Sequence, residues 1–216
     1  MGNVSLSFGE REKALAEYVG KQVTTLQEAY RRKDGNGLAA MAKLRRGVGR
    51  AAGADPALWE FTLAEFPEAI TDQLSWDERD GVATVWERAA YDAITLHAVH
   101  QQSRTGRMHQ KGRSVGAAAA LLGKQADAEN AVRARFHALG TALDHDARLV
   151  HLRGLISQLR NHEIPLDYAR LAVDLRRLDD GTYADRVLLA WGRDYHRSPK
   201  ADQTSDDDPP ATGDQQ

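Results

Sequence analysis

Apolar residues recur at spacings of three and four along nearly the whole chain, and this periodicity predicts helices. Leu38, Met41, Leu44 and Val48 show the pattern in one short segment. The sequence contains no run of alternating apolar and polar residues, no Asn-Gly hairpin signal and no internal repeat. We therefore predict an all-α fold.

Capping residues and prolines predict where several of these helices begin. The predicted starts are Ser7 with Glu10, Asp55-Pro56, Ser75 with Glu78, Pro165 in a first turn, and Thr182 with Asp185. The start at Ser75 is expected to open one long helix that carries apolar residues from Val82 to His97.

The helical pattern breaks between residues 101 and 116. This stretch is basic, contains Gly106, Gly112 and Gly116, and has only Met108 and Val115 as large aliphatic residues. We predict a mobile loop, and long loops of this kind are usually functional or disordered. The expected organisation is two small helical bundles, 1–112 and 113–197, joined around the basic loop, and a disordered acidic tail, 198–216.

The absence of cysteine excludes disulfides, thiolate nucleophiles, zinc ribbons and iron–sulfur sites. No apolar stretch approaches the ~20 residues that span a bilayer, and no signal segment opens the chain. We expect a soluble cytoplasmic protein without a membrane partner.

The net charge of −2 conceals an uneven distribution of charged residues. Residues 101–160 contain ten Lys and Arg against four Asp and Glu, a net charge of +6. Residues 198–216 contain one Lys against five Asp, a net charge of −4. A basic middle segment favours a polyanionic partner, although a solvated Arg-rich surface would have the same composition.

Few residues fit a catalytic or metal-binding pattern, and we predict no catalytic residue, metal ligand or cofactor. His97 and His100 could share a helix face, but no carboxylate at helical spacing completes a metal site, and we place them at the core edge and surface. His145-Asp146 is similar to the His-Asp pair of some all-α metal phosphohydrolases. The same residues, with Asp144, also fit an acidic helix start, so both interpretations stay open.

Arginines that lie off the apolar faces are the stronger functional signal, because the guanidinium fork matches phosphate oxygens. The candidate nucleic-acid-binding residues are Arg45, Arg46, Arg50, Arg104, Arg107, Lys111, Arg113, Arg133, Arg135, Arg153 and Arg160. Trp59, Trp86 and Trp191 occupy core-like positions, so no aromatic stacking platform is expected. The pattern therefore favours contacts to the charged backbone over base reading.

Three blocks, in this order and spacing, resemble the CasB family, the small subunit of the type I-E CRISPR surveillance complex Cascade. The first joins Leu44-Arg45-Arg46-Gly47 to Asp55-Pro56-Ala57-Leu58-Trp59. The second runs from His100-Gln101 through the basic loop into Ser114-Val115-Gly116. The third extends from Arg133-Ala134-Arg135-Phe136 through 149–156 to Ile164-Pro165-Leu166-Asp167-Tyr168 and 171–175.

The resemblance implies a non-catalytic all-α protein of two bundles, present in two copies that lie head to tail along the crRNA–target assembly. It implies a basic surface that holds the displaced non-target DNA strand and stabilises the R-loop. It also implies contacts with the large subunit and the backbone subunits. The chain departs from the family pattern at Arg153-Gly154, where two adjacent basic residues are common, and in its acidic tail.

Two other hypotheses belong to different classes of protein. The first is the metal-dependent phosphohydrolase, which requires His145 and Asp146 beside a metal ion. The second is a helix-turn-helix regulator, which requires a recognition helix, and the Gly-bounded helices are not at that spacing.

Overall fold

The structure is a computed structural model, and it describes residues 6–71 and 75–197. The described part is all-α, as predicted, and its only β-type pairing is an isolated bridge between His109 and Leu166. The α-helices are α1 (Phe8–Arg31), α2 (Gly35–Gly47), α3 (Trp59–Thr62), α4 (Trp76–Arg79), α5 (Val85–Gln101), α6 (Val115–Gln125), α7 (Glu129–Gly140), α8 (His145–Asn161), α9 (Tyr168–Leu178) and α10 (Ala184–His196). Two 3-10 helices, Pro56–Leu58 and Glu68–Ile70, flank α3.

Helix α5 is the centre of the fold, because most of its residues from Trp86 to Gln101 are buried. It packs against α1 and α2 on one side and against α8 and α9 on the other. Helix α1 also packs along α9, and α6 packs against α7 and α10. A single hydrophobic cluster extends from Leu15 in α1 to Trp191 in α10. The core is therefore continuous across residue 112, and the division into two bundles remains a prediction.

The predicted helix start at Ser7 is confirmed, and the one at Ser75 needs correction. Ser75 and Glu78 do form a capping box, but the helix they begin ends at Arg79. Gly81 follows with a φ of 93°, a left-handed conformation that interrupts the helix. The long helix α5 begins at Val85, where Thr84 and Glu87 form a capping box of the same type.

Two further helix starts also differ from the prediction. Helix α9 begins at Tyr168, and Asp167 caps it by accepting a hydrogen bond from the amide of Arg170 at 3.1 Å. Pro165 lies outside this helix. Helix α10 begins at Ala184, with Tyr183 at the cap position and no side-chain cap. Thr182 lies before the cap, and its amide donates to the carboxylate of Asp180 at 3.0 Å.

The segment 102–114 is irregular, as predicted, and the structure shows anchors that its sequence does not indicate. Its mobility remains a prediction. The side chain of Gln101 donates to the carbonyls of Arg104 and Gly106 and accepts from the amide of Met108. Met108 and His109 are buried. Two further hydrogen bonds join the segment to other elements. The amide of His109 donates to Gln27 of α1 at 2.8 Å, and the amide of Leu166 donates to the carbonyl of Met108 at 3.0 Å.

Hydrogen bonds from distant elements therefore fix this segment, which we call the tethered loop. The predicted acidic tail, 198–216, lies outside the described residues. Within 6–71 and 75–197, no helix combines the length and the apolar content needed to cross a membrane.

Candidate nucleic-acid interface

Three of the candidate cations lie where α2 ends. Helix α2 stops at Gly47, where the backbone approaches the core so closely that an added Cβ would collide with Leu58 and with the hydroxyl of Tyr91. That hydroxyl donates to the carbonyl of Gly47 at 2.9 Å. We call this region, residues 45–50 with the loop up to Trp59, the α2 corner.

The three cations of the α2 corner differ in exposure. Arg45 is half-buried, and its Nη1 has no hydrogen-bond partner. Arg46 is exposed and forms no ion pair in the described structure. Arg50 is also exposed, and its Nη1 lies 3.8 Å from Oδ2 of Asp55. Arg46 is therefore the most available of the three to a ligand.

Candidate cations around the tethered loop are largely committed to holding it. Arg104 pairs with Glu163 after α8 at 3.0 Å, and Arg107 pairs with Glu28 of α1 at 2.8 Å. Arg160 donates to the side chain of Gln102 at 3.1 Å. A cation in such a contact is less available to phosphate, since the phosphate must compete with the existing partner.

Lys111 and Arg113 stand apart from this group, because neither side chain has a hydrogen-bond or ion-pair partner in the described structure. They flank Gly112, whose amide donates to Asp167 at 2.7 Å. The turn is therefore anchored to the start of α9 by its backbone, and both cationic side chains are left available.

A groove continues from Arg113 along α6 and α10. It consists of two adjoining cavities of about 330 and 220 Å³ that share Ala120 and Arg197. Its cationic lining residues are Arg113, Lys124, Arg133, Arg170 and Arg197. Asp194 partly neutralises it by pairing with Arg170 at 3.0 Å and with Arg197 at 3.4 Å, and Glu129 also lines it.

Lys124, Arg170 and Arg197 were missed as site residues by the sequence analysis. They join Arg113 and Arg133 only because α6 and α9 pack against α10. No local pattern indicates that long-range packing, so no sequence signal could have found the groove.

The remaining candidates lie on the outer surface of α7 and α8, which pack together. Arg135 and Arg153 are exposed, and neither has an acidic partner in the described structure. Arg133 is also exposed and donates to the side chain of Asn130. Arg153 and Arg160 are seven residues apart on α8 and therefore lie on the same side of the helix. The structure thus distributes the predicted cations over several surfaces and does not form one cluster.

Trp59 was expected in the core, and this expectation is wrong. Its side chain is 50% exposed, whereas Trp86 and Trp191 are buried as predicted. Helix α3 has a single turn, in which Leu58 at its start and Thr62 are the residues that face the core. The indole Nε1 of Trp59 donates to the carbonyl of Gly53 at 2.7 Å, so the exposed ring is fixed in place.

His145 lies at the start of α8, where Asp144 caps the helix as predicted. Its Nδ1 is 3.2 Å from Asp179 and its Nε2 is 2.9 Å from Asp92. Two hydrogen bonds, the stronger effect from Asp179 and the next from Asp92, raise the pKa of His145 to about 9. Both ring nitrogens are therefore occupied, and the phosphohydrolase hypothesis gains no support from this site.

His97 and His100 are fully buried, so their expected position at the core edge and surface is wrong. Nδ1 of His100 lies 2.9 Å from the hydroxyl of Tyr168, and neither ring nitrogen of His97 has a partner. Burial lowers the pKa of His100 to about 3 and holds that of His97 well below its usual value. Among the residues that the structure describes, no group of three or more His, Asp or Glu could hold a metal ion.

Comparison with known proteins gives two kinds of match. The family model for CRISPR-associated protein Cse2 matches residues 40–196. Among solved structures, CasB from Thermobifida fusca is 34% identical with a TM-score of 0.72, and the match covers 85% of this chain and 98% of that chain. No curated protein matches the chain at the significance required.

Two more distant structures share the fold. CasB from Thermus thermophilus is 25% identical with a TM-score of 0.57, over 88% of this chain and 98% of that chain. A chain of a structure described as a CRISPR RNA-guided surveillance complex is 24% identical with a TM-score of 0.60, over 84% of this chain and 93% of that chain. Since the family model spans most of the sequence, the chain belongs to the CRISPR-associated Cse2 family.

Proposed function

We propose that this chain is the non-catalytic small subunit of a type I-E Cascade complex. In that complex it binds the displaced non-target DNA strand and the crRNA–target backbone, and it stabilises the R-loop in antiviral defence. Its partners are the large subunit, the backbone subunits, the crRNA and a second copy of itself. Membership of the Cse2 family and the surveillance-complex description of a chain with the same fold support this assignment.

The observation that carries the binding role is a set of candidate cations whose side chains form no hydrogen bond or ion pair within the described residues and which, unlike Arg45, have no buried guanidinium nitrogen. These are Arg46, Lys111, Arg113, Arg135 and Arg153. Many other arginines in the described structure form ion pairs, such as Arg177 with Glu12 at 2.6 Å. A cation without a carboxylate partner binds phosphate at no loss of an existing ion pair, so we assign these five first to the nucleic acid.

Charge contacts suit a strand whose sequence changes with every target. Contacts to phosphate oxygens carry no sequence information and add affinity by releasing counterions. R-loop formation is a nearly balanced exchange of one duplex for another, so modest protein contacts to the displaced strand shift it towards the open state.

The proposal is tested by removing two cations from α7 and α8 in the assembled complex. Arg135→Gln/Arg153→Gln subunits are incorporated, and R-loop affinity is measured as a function of salt on two unrelated targets. The slope of log affinity against log salt is negative, and each lost contact to single-stranded DNA reduces its magnitude by about 0.7. We therefore expect the magnitude of the slope to decrease by about 1.4 on both targets.

The matched control is Lys13→Gln/Lys21→Gln, which removes the same charge from exposed lysines of α1 that pair with Glu17 and Glu65. We expect the slope of this control to stay close to that of the unmodified complex. An unchanged slope in the arginine variant, with correct folding and incorporation, would contradict the proposal.

A further inference from the structure

The α2 corner presents an aromatic ring in a fixed orientation. The side chain of Trp59 is half exposed, and its N–H is held by the carbonyl of Gly53. The loop beneath it is folded by its own backbone, since the amide of Arg50 donates to Gly47 and the amide of Leu58 donates to Asp55, both at 3.0 Å. The ring therefore loses little conformational freedom when a flat ligand covers it.

The α2 corner that carries this ring also carries two exposed arginines, Arg46 and Arg50. The end of α2 packs against the start of α3, since an added Cβ on Gly47 would lie 2.6 Å from Cδ1 of Leu58. Arg46 and Trp59 are the exposed neighbours of these two residues in the sequence. Arg50 reaches back to Asp55, and its side chain remains 60% exposed.

The acidic groups of the α2 corner are Asp55 and Glu60. The carboxylate of Asp55 pairs with Arg50 and accepts a hydrogen bond from the amide of Ala57 at 3.0 Å. Glu60 is exposed next to Trp59. Arg46 has no carboxylate partner in the part of the chain that the structure describes, so a phosphate at this corner would not compete with an acidic side chain for it.

We propose that Trp59 stacks against an unpaired base of the displaced strand, while Arg46 and Arg50 contact the phosphates next to that base. This inference rests on the proposed function and adds a base contact to it. Every base has a π-face, so stacking on an indole is compatible with a strand of any sequence. The exposed guanidinium groups of the same corner favour nucleic acid over a protein partner as the occupant.

The test compares displaced strands with and without bases. Complexes that carry Trp59→Ala, Trp59→Phe or the unmodified subunit bind targets whose non-target strand is either normal or abasic throughout the displaced region. Stacking of one base on an aromatic side chain corresponds to roughly tenfold in affinity. We therefore expect Trp59→Ala to weaken the complex about tenfold on the normal strand and to have no effect on the abasic strand.

Two variants serve as controls in the same assay. Trp59→Phe keeps an aromatic face but loses the N–H, and we expect it to retain most of the affinity for the normal strand. Leu189→Ala removes another large side chain that is more than half exposed, on α10, and we expect no difference between the two strands. Thermal unfolding and co-purification establish that each variant folds and assembles.

Three outcomes would overturn the inference. The first is that Trp59→Ala loses the same affinity on both strands, and the second is that it loses affinity on neither. The third is that folded Trp59→Ala fails to co-purify with the complex, which would make the ring a contact to another subunit. The proposed function is assessed separately, because the unmodified subunit still stabilises an abasic strand in a salt-dependent way if phosphate contacts exist. Absence of that stabilisation would contradict the proposed function itself.

Discussion

The imidazole of His145 links three separate elements of the structure. It begins α8, binds Asp92 of α5 through one nitrogen and binds Asp179 at the end of α9 through the other. Arg88 and Arg148 pair with Asp179 as well, at 2.8 and 3.2 Å. Burial raises the pKa of Asp92, although the hydrogen bond from His145 opposes this. The protonated imidazole is therefore the group that compensates the buried carboxylate.

This arrangement predicts a pH dependence of stability. The pKa of His145 is about 9 in the folded protein and near its ordinary value of 6.5 in the unfolded chain. Its contribution is therefore complete below pH 6.5 and is lost as the pH rises through about 9. A shift of this size corresponds to about 3 kcal/mol, so we expect the free energy of unfolding to decrease by about that amount over this range.

Urea denaturation at pH 6.5 and pH 9.5 measures the effect. We expect His145→Gln to lose stability at the lower pH and to show a much smaller difference between the two pH values. The control is His162→Gln, which changes an exposed histidine after α8. If His145→Gln kept the full pH dependence of the unmodified protein, the charge network would not be its source.

The contact between α6 and α10 depends on one glycine. A Cβ on Gly116 would collide with the carbonyl oxygen of Trp191, and it would also lie 2.8 Å from the carbonyl carbon of that residue. Because the obstacle is helix backbone, no side-chain rotation relieves it. We expect Gly116→Ala to lower the free energy of unfolding by about 3 kcal/mol, the upper end of the usual range for overpacking.

Gly154 provides the matched control inside another helix. A Cβ at this position of α8 meets no atom within 4 Å, so Gly154→Ala gains helix propensity without a clash. We expect it to raise stability by about 0.5–1 kcal/mol in the same denaturation experiment. If both substitutions changed the free energy of unfolding equally, α6 and α10 would be able to move apart without cost, and the predicted clash would be absent.

Local sequence signals predicted helices better than their ends. Ser75-x-x-Glu78 and Thr84-x-x-Glu87 are equivalent patterns, and both form capping boxes in the structure. Only the second begins a long helix, because the first is followed within one turn by Gly81. The anchors of the tethered loop could not be predicted for a different reason. Its anchor on Gln27 is 82 residues away in sequence, and no local pattern reports such a contact.

At the candidate site, too, the sequence could not predict contacts between residues that are far apart along the chain. The outward position of Arg46, Arg135 and Arg153 follows from helical periodicity and was predictable. The pairing of Arg104 with Glu163 and of Arg107 with Glu28 was not, since the partners are 59 and 79 residues apart. Tertiary structure therefore decides which of the surface arginines remain available for phosphate.

Tertiary structure also joins helices that are far apart in the sequence. Arg177 of α9 forms two hydrogen bonds of 2.6 Å with Glu12 of α1, and α1 packs along α9. Helix α5 has apolar residues on all sides and is covered by α8 and α9 as well as by α1 and α2. The segment 1–112 would thus leave a large apolar surface of α5 exposed without the second half of the chain.

This packing predicts that the protein unfolds as one cooperative unit. In calorimetry we expect a single transition whose van't Hoff enthalpy equals the calorimetric enthalpy, because neither half can lose its partner and keep its core. A fragment of residues 1–112 is expected to show no cooperative transition of its own. Two separate transitions in the full chain, or cooperative unfolding of the fragment, would instead support two independent bundles.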